Sequence, residues 1–221
     1  MITYDRNTNY WNDVFRKKHG NQIISKSIGH DDLDYALDWL CKGSNSILDF
    51  GCGNGVWLIK CFLRGTKTHF GIDSSCEGIR VAKEIQKKTG EGNFIFTVGG
   101  VEALESISDD SIDGVVLSNI IDNLIPLDTL KVLSEIKRVL KKNGKILIKL
   151  NPFVTDEQIE DWNIKVIEDN FLDDGLFLWN QTTEEWEKLF SSYFTIVSYK
   201  DIYYLEYEQY NRLFLLCNDR K

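Results

Sequence analysis

The sequence lacks the features of membrane, secreted and disulfide-rich proteins. No apolar run approaches the length that spans a bilayer, and the first residues have no signal-peptide pattern. The five cysteines are odd in number and form no Cys-x-x-Cys pair, so neither a disulfide framework nor a metal site is expected. We therefore expect a cytoplasmic protein with reduced thiols and no membrane partner.

The sequence also lacks an excess of basic residues. The chain has 26 Lys and Arg against 34 Asp and Glu, which gives a net charge of −8. A protein that binds nucleic acid without regard to sequence needs a basic face. On this ground we expect no nucleic-acid partner, while the oligomeric state stays unknown.

Short apolar strands alternate with amphipathic helices through the middle of the chain. Strands are predicted at 46–50, 68–72, 93–98, 112–117 and 145–150, and helices at 56–63, 77–88 and 127–140. This alternation favours a parallel sheet, and strands predicted at 193–204 and 210–217 would close it. The sequence thus predicts an α/β fold with a doubly wound, mostly parallel seven-stranded sheet, an antiparallel closing strand and helices on both faces.

Three glycines at alternate positions, Gly51, Gly53 and Gly55, follow the first strand. The chain must bend sharply there, and the missing Cβ atoms would let a ligand approach the backbone. The spacing is G-x-G-x-G, whereas dinucleotide sites have G-x-G-x-x-G. A ligand site is therefore predicted at the carboxyl ends of the strands.

Two acidic residues define what this site would bind. Asp49, two residues before Gly51, would repel a pyrophosphate but suits a cationic group. Asp73 ends the second strand, where a carboxylate can bind both ribose hydroxyls, although it could also cap the next helix. Together they predict a positively charged nucleoside without phosphates.

Four segments in register resemble the class I S-adenosylmethionine-dependent methyltransferases. The segment 47–55 resembles motif I of that family, and 71–74 resembles its second motif. Segments 109–119 and 135–148 resemble the region of the fourth strand and the following helix and strand. One such motif is a weak signal, but four in the right order are strong.

The resemblance implies S-adenosylmethionine as cofactor, no metal, and binding roles by position. The methionine part would lie against Asp49, Gly51, Cys52, Gly53 and Gly55, and the ribose and adenine against Asp73, Ser74, Val101 and Glu102. Ser118, Asn119 and Ile120 would form the floor beneath the sulfonium.

The first helix, predicted at 9–18, carries several aromatic residues. It either packs on the sheet edge or forms a lid from which Tyr10 or Trp11 reaches the cofactor by cation–π attraction. We favour the lid. With a second helix predicted at 31–41, it would make residues 1–45 a helical cap on one domain that spans 1–221, with a cofactor-binding core at 46–150 and a substrate-side insertion with closing strands at 151–221.

Two departures from the family pattern limit the mechanism. The third strand is followed by Gly99-Gly100-Val101, where the family often has an acidic residue that reaches the adenine amino group. That contact is either missing here or made by the backbone. The fourth strand is followed by 121–124, which contains no histidine. Among the histidines, His19 is the candidate for a catalytic base, and no catalytic residue is predicted.

The predicted function is transfer of the sulfonium methyl to a small-molecule acceptor by in-line displacement. The enzyme must chiefly place the acceptor about 3 Å from the methyl group and exclude water. Two alternatives remain open, a non-catalytic module that binds S-adenosylmethionine or S-adenosylhomocysteine, and an oxidoreductase with a nucleotide cofactor. The sequence does not identify the acceptor atom.

Overall fold

The computed structural model describes residues 3–18, 24–90 and 92–219, with these helices and strands. The helices are α1 Asp5–Arg16, α2 Asp31–Cys41, α3 Val56–Leu63, α4 Cys76–Thr89, α5 Pro126–Val139, α6 Asp156–Asp161 and α7 Thr183–Ser191. The strands are β1 Ser46–Phe50, β2 Thr68–Asp73, β3 Asn93–Val98, β4 Ile112–Ser118, β5 Leu140–Leu150, β6 Lys165–Glu168, β7 Phe171–Asp173, β8 Phe177–Trp179, β9 Thr195–Tyr204 and β10 Gln209–Cys217.

Seven strands form one sheet in the order β3-β2-β1-β4-β5-β10-β9. Neighbouring strands from β3 to β5 are parallel, and β10 runs antiparallel to both β5 and β9. The predicted α/β fold, a mostly parallel sheet with an antiparallel closing strand, is confirmed. The carboxyl ends of β1, β2, β4 and β5 consequently meet at one edge of the sheet.

Both faces of this sheet are covered by helices. Successive residues of a buried strand point to opposite faces, so each strand packs against helices on both sides. Leu48 belongs to a core cluster with residues of α5 and α7, such as Val132 and Trp186. Its neighbour Ile47 packs with residues of α2 and α3, such as Leu37 and Leu58. Among the described residues, no helix is both long and apolar enough to cross a membrane.

The junction of α5 and β5 differs from the prediction. The helix ends at Val139, and β5 begins at Leu140, which pairs with Ile112 of β4. Asn143 adopts the left-handed conformation expected of a helix stop, with φ +61°, but it lies inside the strand. Leu140 is fully buried and already pairs with β4, so the helix ends before Asn143 and Gly144 are reached.

The segment after β5 has more structure than its sequence pattern indicates. Strands β6, β7 and β8 form a separate antiparallel sheet. They have only three or four residues each, too few for an alternating pattern to stand out. Helix α7 has Thr182 as its N-cap, which forms a reciprocal capping box with Glu185.

Candidate active site

A cavity of about 590 Å³ lies at the carboxyl ends of β1, β2 and β4. Eleven of the predicted cofactor residues line it: Trp11, Gly51, Cys52, Gly53, Asp73, Ser74, Val101, Glu102, Ser118, Asn119 and Ile120. Three others, Tyr10, Asp49 and Gly55, do not line it. The fold therefore brings together most of a set that spans 110 positions of the sequence, from 11 to 120.

The glycine turn is held by protein contacts as well as being open to a ligand. Gly51 and Gly53 have φ of +78° and +50°, a region that glycine tolerates best. A Cβ on Gly51 would lie 2.7 Å from Cγ1 of Ile120, and one on Gly53 would lie 2.8 Å from Cζ of Phe15. The side chains of Ile120 and Phe15 thus occupy the space that the missing Cβ atoms leave, and they fix the shape of the turn.

Asp49 belongs to β1, two residues before this turn, and is 1% exposed. Neither of its carboxylate oxygens has a hydrogen-bond partner among the described residues. Burial raises its pKa well above the usual value, and the charge of Asp73 raises it further. An unpartnered buried carboxylate is costly unless a positive group is close, so this position suits the ammonium of a methionine-like ligand.

Asp73 connects the end of β2 to the glycine turn. Its Oδ2 accepts a hydrogen bond from the backbone N–H of Gly53 at 2.7 Å, and Oδ1 accepts one from Ser75 at 2.7 Å. Burial raises the pKa of Asp73, and these two bonds partly oppose the rise. The N-cap of α4 is Ser75, whose Oγ accepts from the N–H of Gly78, so the carboxylate of Asp73 is left facing the cavity.

A short 3-10 turn over Val101–Ser106 forms another wall. The side chain of Glu102 folds back, and its Oε1 accepts a hydrogen bond from the N–H of Gly100 at 2.7 Å. Across the cavity, Ser74 accepts a hydrogen bond from Thr8 Oγ1 at 3.2 Å. Glu102 and Glu105 are the acidic residues of this turn that line the cavity, where the sequence has no Asp after β3.

Helix α1 begins four residues earlier than predicted and lies against the cavity. Trp11 and Phe15 line the cavity, and their rings stack with centroids 5.9 Å apart. Tyr10 points away and is 49% exposed, because adjacent helical residues are about 100° apart around the axis. Asn12 Oδ1 accepts a hydrogen bond from Ser75 Oγ at 2.8 Å, which attaches α1 to the start of α4.

The N-terminal end of α1 is anchored on the other side. Arg6 forms a two-pronged ion pair with Asp173 of β7, with N···O distances of 2.6 and 3.0 Å. Tyr4 donates a hydrogen bond to Asp128 at 2.9 Å and packs edge-on against Phe177. The predicted lid is thus a helix held at both ends, by α4 and by the small sheet.

Thirteen further residues line the cavity without having been assigned a role from the sequence: Tyr4, Phe15, Phe50, Asn54, Val56, Trp57, Ile72, Gly99, Gly100, Glu105, Leu124, Asp128 and Lys131. Local signals could have identified two of them, since Asn54 lies inside the glycine turn and Phe15 lies one helical turn after Trp11. Asp128 and Lys131 belong to α5, and only the tertiary fold brings them to the site.

No histidine of the described residues lines the cavity. His69 is buried, accepts or donates a bond with Thr66 at 2.7 Å, and has a pKa lowered by burial to about 4. His30 packs against Tyr204, with ring centroids 5.3 Å apart, and does not line the cavity. His19 lies outside the described residues. The site offers no imidazole base in the part of the chain that the structure describes.

Residues 42–198 match the methyltransferase domain family. The chain belongs to this family. It is a methyltransferase, and its cofactor is S-adenosylmethionine, as the glycine turn and its acidic residues predict. The two alternatives, a non-catalytic binding module and an oxidoreductase, are set aside.

Two groups of relatives share this domain. The chain is 26% identical over 199 residues to the tRNA N(3)-methylcytidine methyltransferase trm140 of Schizosaccharomyces pombe, a match that covers 85% of this chain and 64% of that protein. It is 29% identical over 115 residues to the ribosomal protein L11 methyltransferase of Streptococcus pyogenes, covering 52% of this chain and 34% of the relative. The chain therefore spans less than two thirds of the length of either relative.

Solved structures share the fold. The PH0226 protein of Pyrococcus horikoshii OT3 aligns with a TM-score of 0.68 and 24% identity, over 93% of this chain and 98% of that one. An S-adenosylmethionine-dependent methyltransferase of Methanosarcina mazei aligns with a TM-score of 0.65 and 19% identity, over 78% and 91% of the two chains.

The comparisons overturn the predicted partners. A small-molecule acceptor and no nucleic-acid partner were predicted from the sequence, whereas the relatives are named for methylating a tRNA and a ribosomal protein. The prediction failed because net charge describes the whole surface, and an acceptor meets only the part around the cavity.

Proposed function

We propose that this methyltransferase acts on a base in RNA, with tRNA as the first substrate to test. The observation that carries the proposal is the extent of the match to the tRNA methyltransferase, 85% of this chain. That match extends beyond residues 46–150 into the helices and strands around the acceptor side. The match to the ribosomal protein methyltransferase covers only 52% of the chain.

The cofactor would occupy the cavity in one orientation. Its ammonium would lie at Phe50 and Gly51, the two residues that follow Asp49 and line the cavity, within reach of the charge of the unpartnered Asp49 carboxylate behind them. Its ribose hydroxyls would lie near Asp73. The adenine would lie between Ser74 and the wall that carries Val101 and Glu102. When bound, S-adenosylmethionine supplies an electrophilic methyl group, which this orientation directs toward Ser118, Asn119 and Ile120.

The protein's own contribution is placement and exclusion of water. Trp11 and Phe15 cover the cavity from α1, and Phe15 contacts the turn at Gly53. A ring nitrogen with a free lone pair can attack a methyl group without first losing a proton. A site without a histidine among its described residues therefore fits a nucleobase as the acceptor.

Exposed aromatic side chains lie on elements that reach the same edge of the sheet. Trp11 is 40% exposed, and Phe153 follows the carboxyl end of β5. Tyr203 and Tyr210 pair at the tip of the β9–β10 hairpin, with ring centroids 4.8 Å apart. Aromatic rings of this kind stack on unpaired bases, an interaction that depends less on positive charge than phosphate binding does.

A second candidate acceptor is a basic segment of a protein. Residues 153–174 contain eight Asp and Glu and a single lysine. This insertion is part of the acceptor side, since Asp173 pairs with Arg6 of α1. An acidic surface attracts a lysine-rich or arginine-rich segment and repels phosphates.

Transfer of tritiated methyl from S-adenosylmethionine to total tRNA and to total cellular protein separates the two candidates. We expect label in the RNA fraction that ribonuclease removes, and a methylated nucleoside on hydrolysis. The Asp73→Asn variant serves as the control with a damaged cofactor site. Label found only in protein would establish the second candidate, and label in neither fraction would contradict both.

A further inference from the structure

The side-chain amide of Asn119 is held at both of its ends. Asn119 follows β4 with φ +52° and lines the cavity between Ser118 and Ile120. Its Oδ1 accepts a hydrogen bond from Nζ of Lys149 at 2.6 Å, and its Nδ2 donates one to Oδ1 of Asn151. Since the oxygen faces a cation and the nitrogen faces a carbonyl oxygen, only one orientation of the amide satisfies both partners.

The two partners come from the neighbouring strand. Ser118 pairs with Lys149 in the parallel ladder of β4 and β5, so Asn119 and Asn151 both extend past the same edge of the sheet. A left-handed backbone conformation at a residue other than glycine costs energy and is common at functional sites. At Asn119 this conformation places the amide between the two partners.

Asn151 is itself fixed by buried groups. Its backbone N–H and its Nδ2 both donate to Oδ2 of Asp122, at 2.7 and 3.0 Å, and Asp122 is fully buried. The backbone oxygen of Asn151 accepts a hydrogen bond from Nε of Arg212 at 3.0 Å. Asp122 thus holds Asn151, the partner of Asn119, through two hydrogen bonds.

Lys149 reaches Asn119 from the opposite side. Its Nζ lies 5.2 Å from the centre of the Tyr204 ring, and burial lowers its pKa to about 8. Lys149 does not line the cavity, so its contact with the site is the bond to Asn119.

We propose that Lys149 and Asn151 are positioning residues that lock the Asn119 amide, so that its remaining N–H and lone pair contact the methyl acceptor. This inference rests on the proposed methyl transfer in this cavity. An amide with one donor and one acceptor left over can bind an acceptor group that offers the complementary pair. A fixed amide would hold that group in line with the methyl, and small misplacements at a reacting centre cost about 10²-fold in rate.

Lys149→Met removes the donor and keeps the length of the side chain. Lys145→Met is the matched control, because Lys145 lies on the same face of β5, donates to backbone oxygens of Trp39 and Lys42, and covers the Trp39 ring at 5.3 Å. Asn119→Ala removes the amide itself. Lys149→Arg restores a cationic donor.

Two measurements test the proposal. In NMR spectra with S-adenosylhomocysteine bound, the Asn119 side-chain protons should exchange with water faster in Lys149→Met and unchanged in Lys145→Met. In the tritium assay on total tRNA, Lys149→Met should lower kcat by roughly tenfold or more while the Kd for S-adenosylhomocysteine stays within about twofold. Lys149→Arg should recover part of kcat, and the double variant Lys149→Met/Asn119→Ala should be no slower than Asn119→Ala alone.

Unchanged Asn119 signals in Lys149→Met, additive losses in the double variant, or a parallel loss of S-adenosylhomocysteine binding would each overturn the proposal. If total tRNA receives no label while the NMR response to Lys149→Met is as expected, the RNA acceptor is wrong and the positioning role stands.

Discussion

The carboxylate of Asp73 accepts a hydrogen bond from the backbone N–H of Gly53 at 2.7 Å. The bond crosses from the end of β2 to the glycine turn after β1, two elements whose strands pair directly. The other oxygen of Asp73 accepts from Ser75 at the start of α4. One side chain therefore sets the positions of both the turn and the helix that border the cavity.

Replacing Asp73 by Asn should weaken the cofactor site. An amide can accept from only one of the two backbone donors, and its NH₂ group would face the other. A hydrogen bond to a charged group contributes about 1.5–3 kcal/mol, so we expect the Kd for S-adenosylhomocysteine to rise roughly 10- to 100-fold in titration calorimetry. Asp161→Asn, an exposed carboxylate at the end of α6, should leave Kd unchanged. Equal effects of the two substitutions would contradict the role of Asp73.

Asp49→Asn should stabilise the free protein and weaken cofactor binding. Burial raises the pKa of Asp49 in the folded state, so its ionisation favours the unfolded chain. The neutral carboxyl stabilises the folded state fully below the unfolded pKa of about 3.9. This contribution is lost as the pH rises from there through the raised pKa of the folded state. At pH 7 the variant should therefore melt at least about 2 °C higher, the shift that about 1 kcal/mol gives in a chain of this size.

The same variant tests where the ammonium binds. A positive ligand group next to Asp49 lowers its pKa, so binding should release a proton. We expect the calorimetric enthalpy of S-adenosylhomocysteine binding to depend on the ionisation enthalpy of the buffer in the wild type and much less in Asp49→Asn. Buffer dependence that is the same in both proteins would show that another group releases the proton.

Gly53→Ala should be far more damaging than Gly43→Ala. Both glycines have positive φ, +50° and +79°, but a Cβ on Gly53 would lie 2.8 Å from Phe15, whereas one on Gly43 would meet nothing within 4 Å. Gly43→Ala thus pays only the backbone cost of about 1–2 kcal/mol. Gly53→Ala adds an overpacking cost of about 1–3 kcal/mol. Urea denaturation measures both, and Phe15→Leu should recover part of the loss in Gly53→Ala.

The sequence predicts those parts of the site that are determined by local backbone conformation. Gly51 and Gly53 follow a strand directly, and Asp73 ends the next strand, so the fold class alone places them at one edge. Lys149 and Asn151 could not be predicted, because their partner Asn119 follows a different strand, β4. The register of β4 and β5, which brings the three residues together, is a tertiary property. The acceptor also could not be predicted, since net charge is a sum over the whole surface.

The two adjacent aromatic residues of α1 allow a closely matched final test. Trp11 lines the cavity and stacks on Phe15, whereas Tyr10 is directed to solvent. If the Trp11 ring contacts the sulfonium, Trp11→Ala should weaken binding of S-adenosylmethionine by roughly 3- to 30-fold, since a cation–π contact contributes about 0.5–2 kcal/mol. The loss should be smaller for S-adenosylhomocysteine, whose sulfur carries no charge. Tyr10→Ala should change neither Kd by more than about twofold. Equal losses for the two ligands in Trp11→Ala would show that the ring acts by covering the cavity and not through the charge.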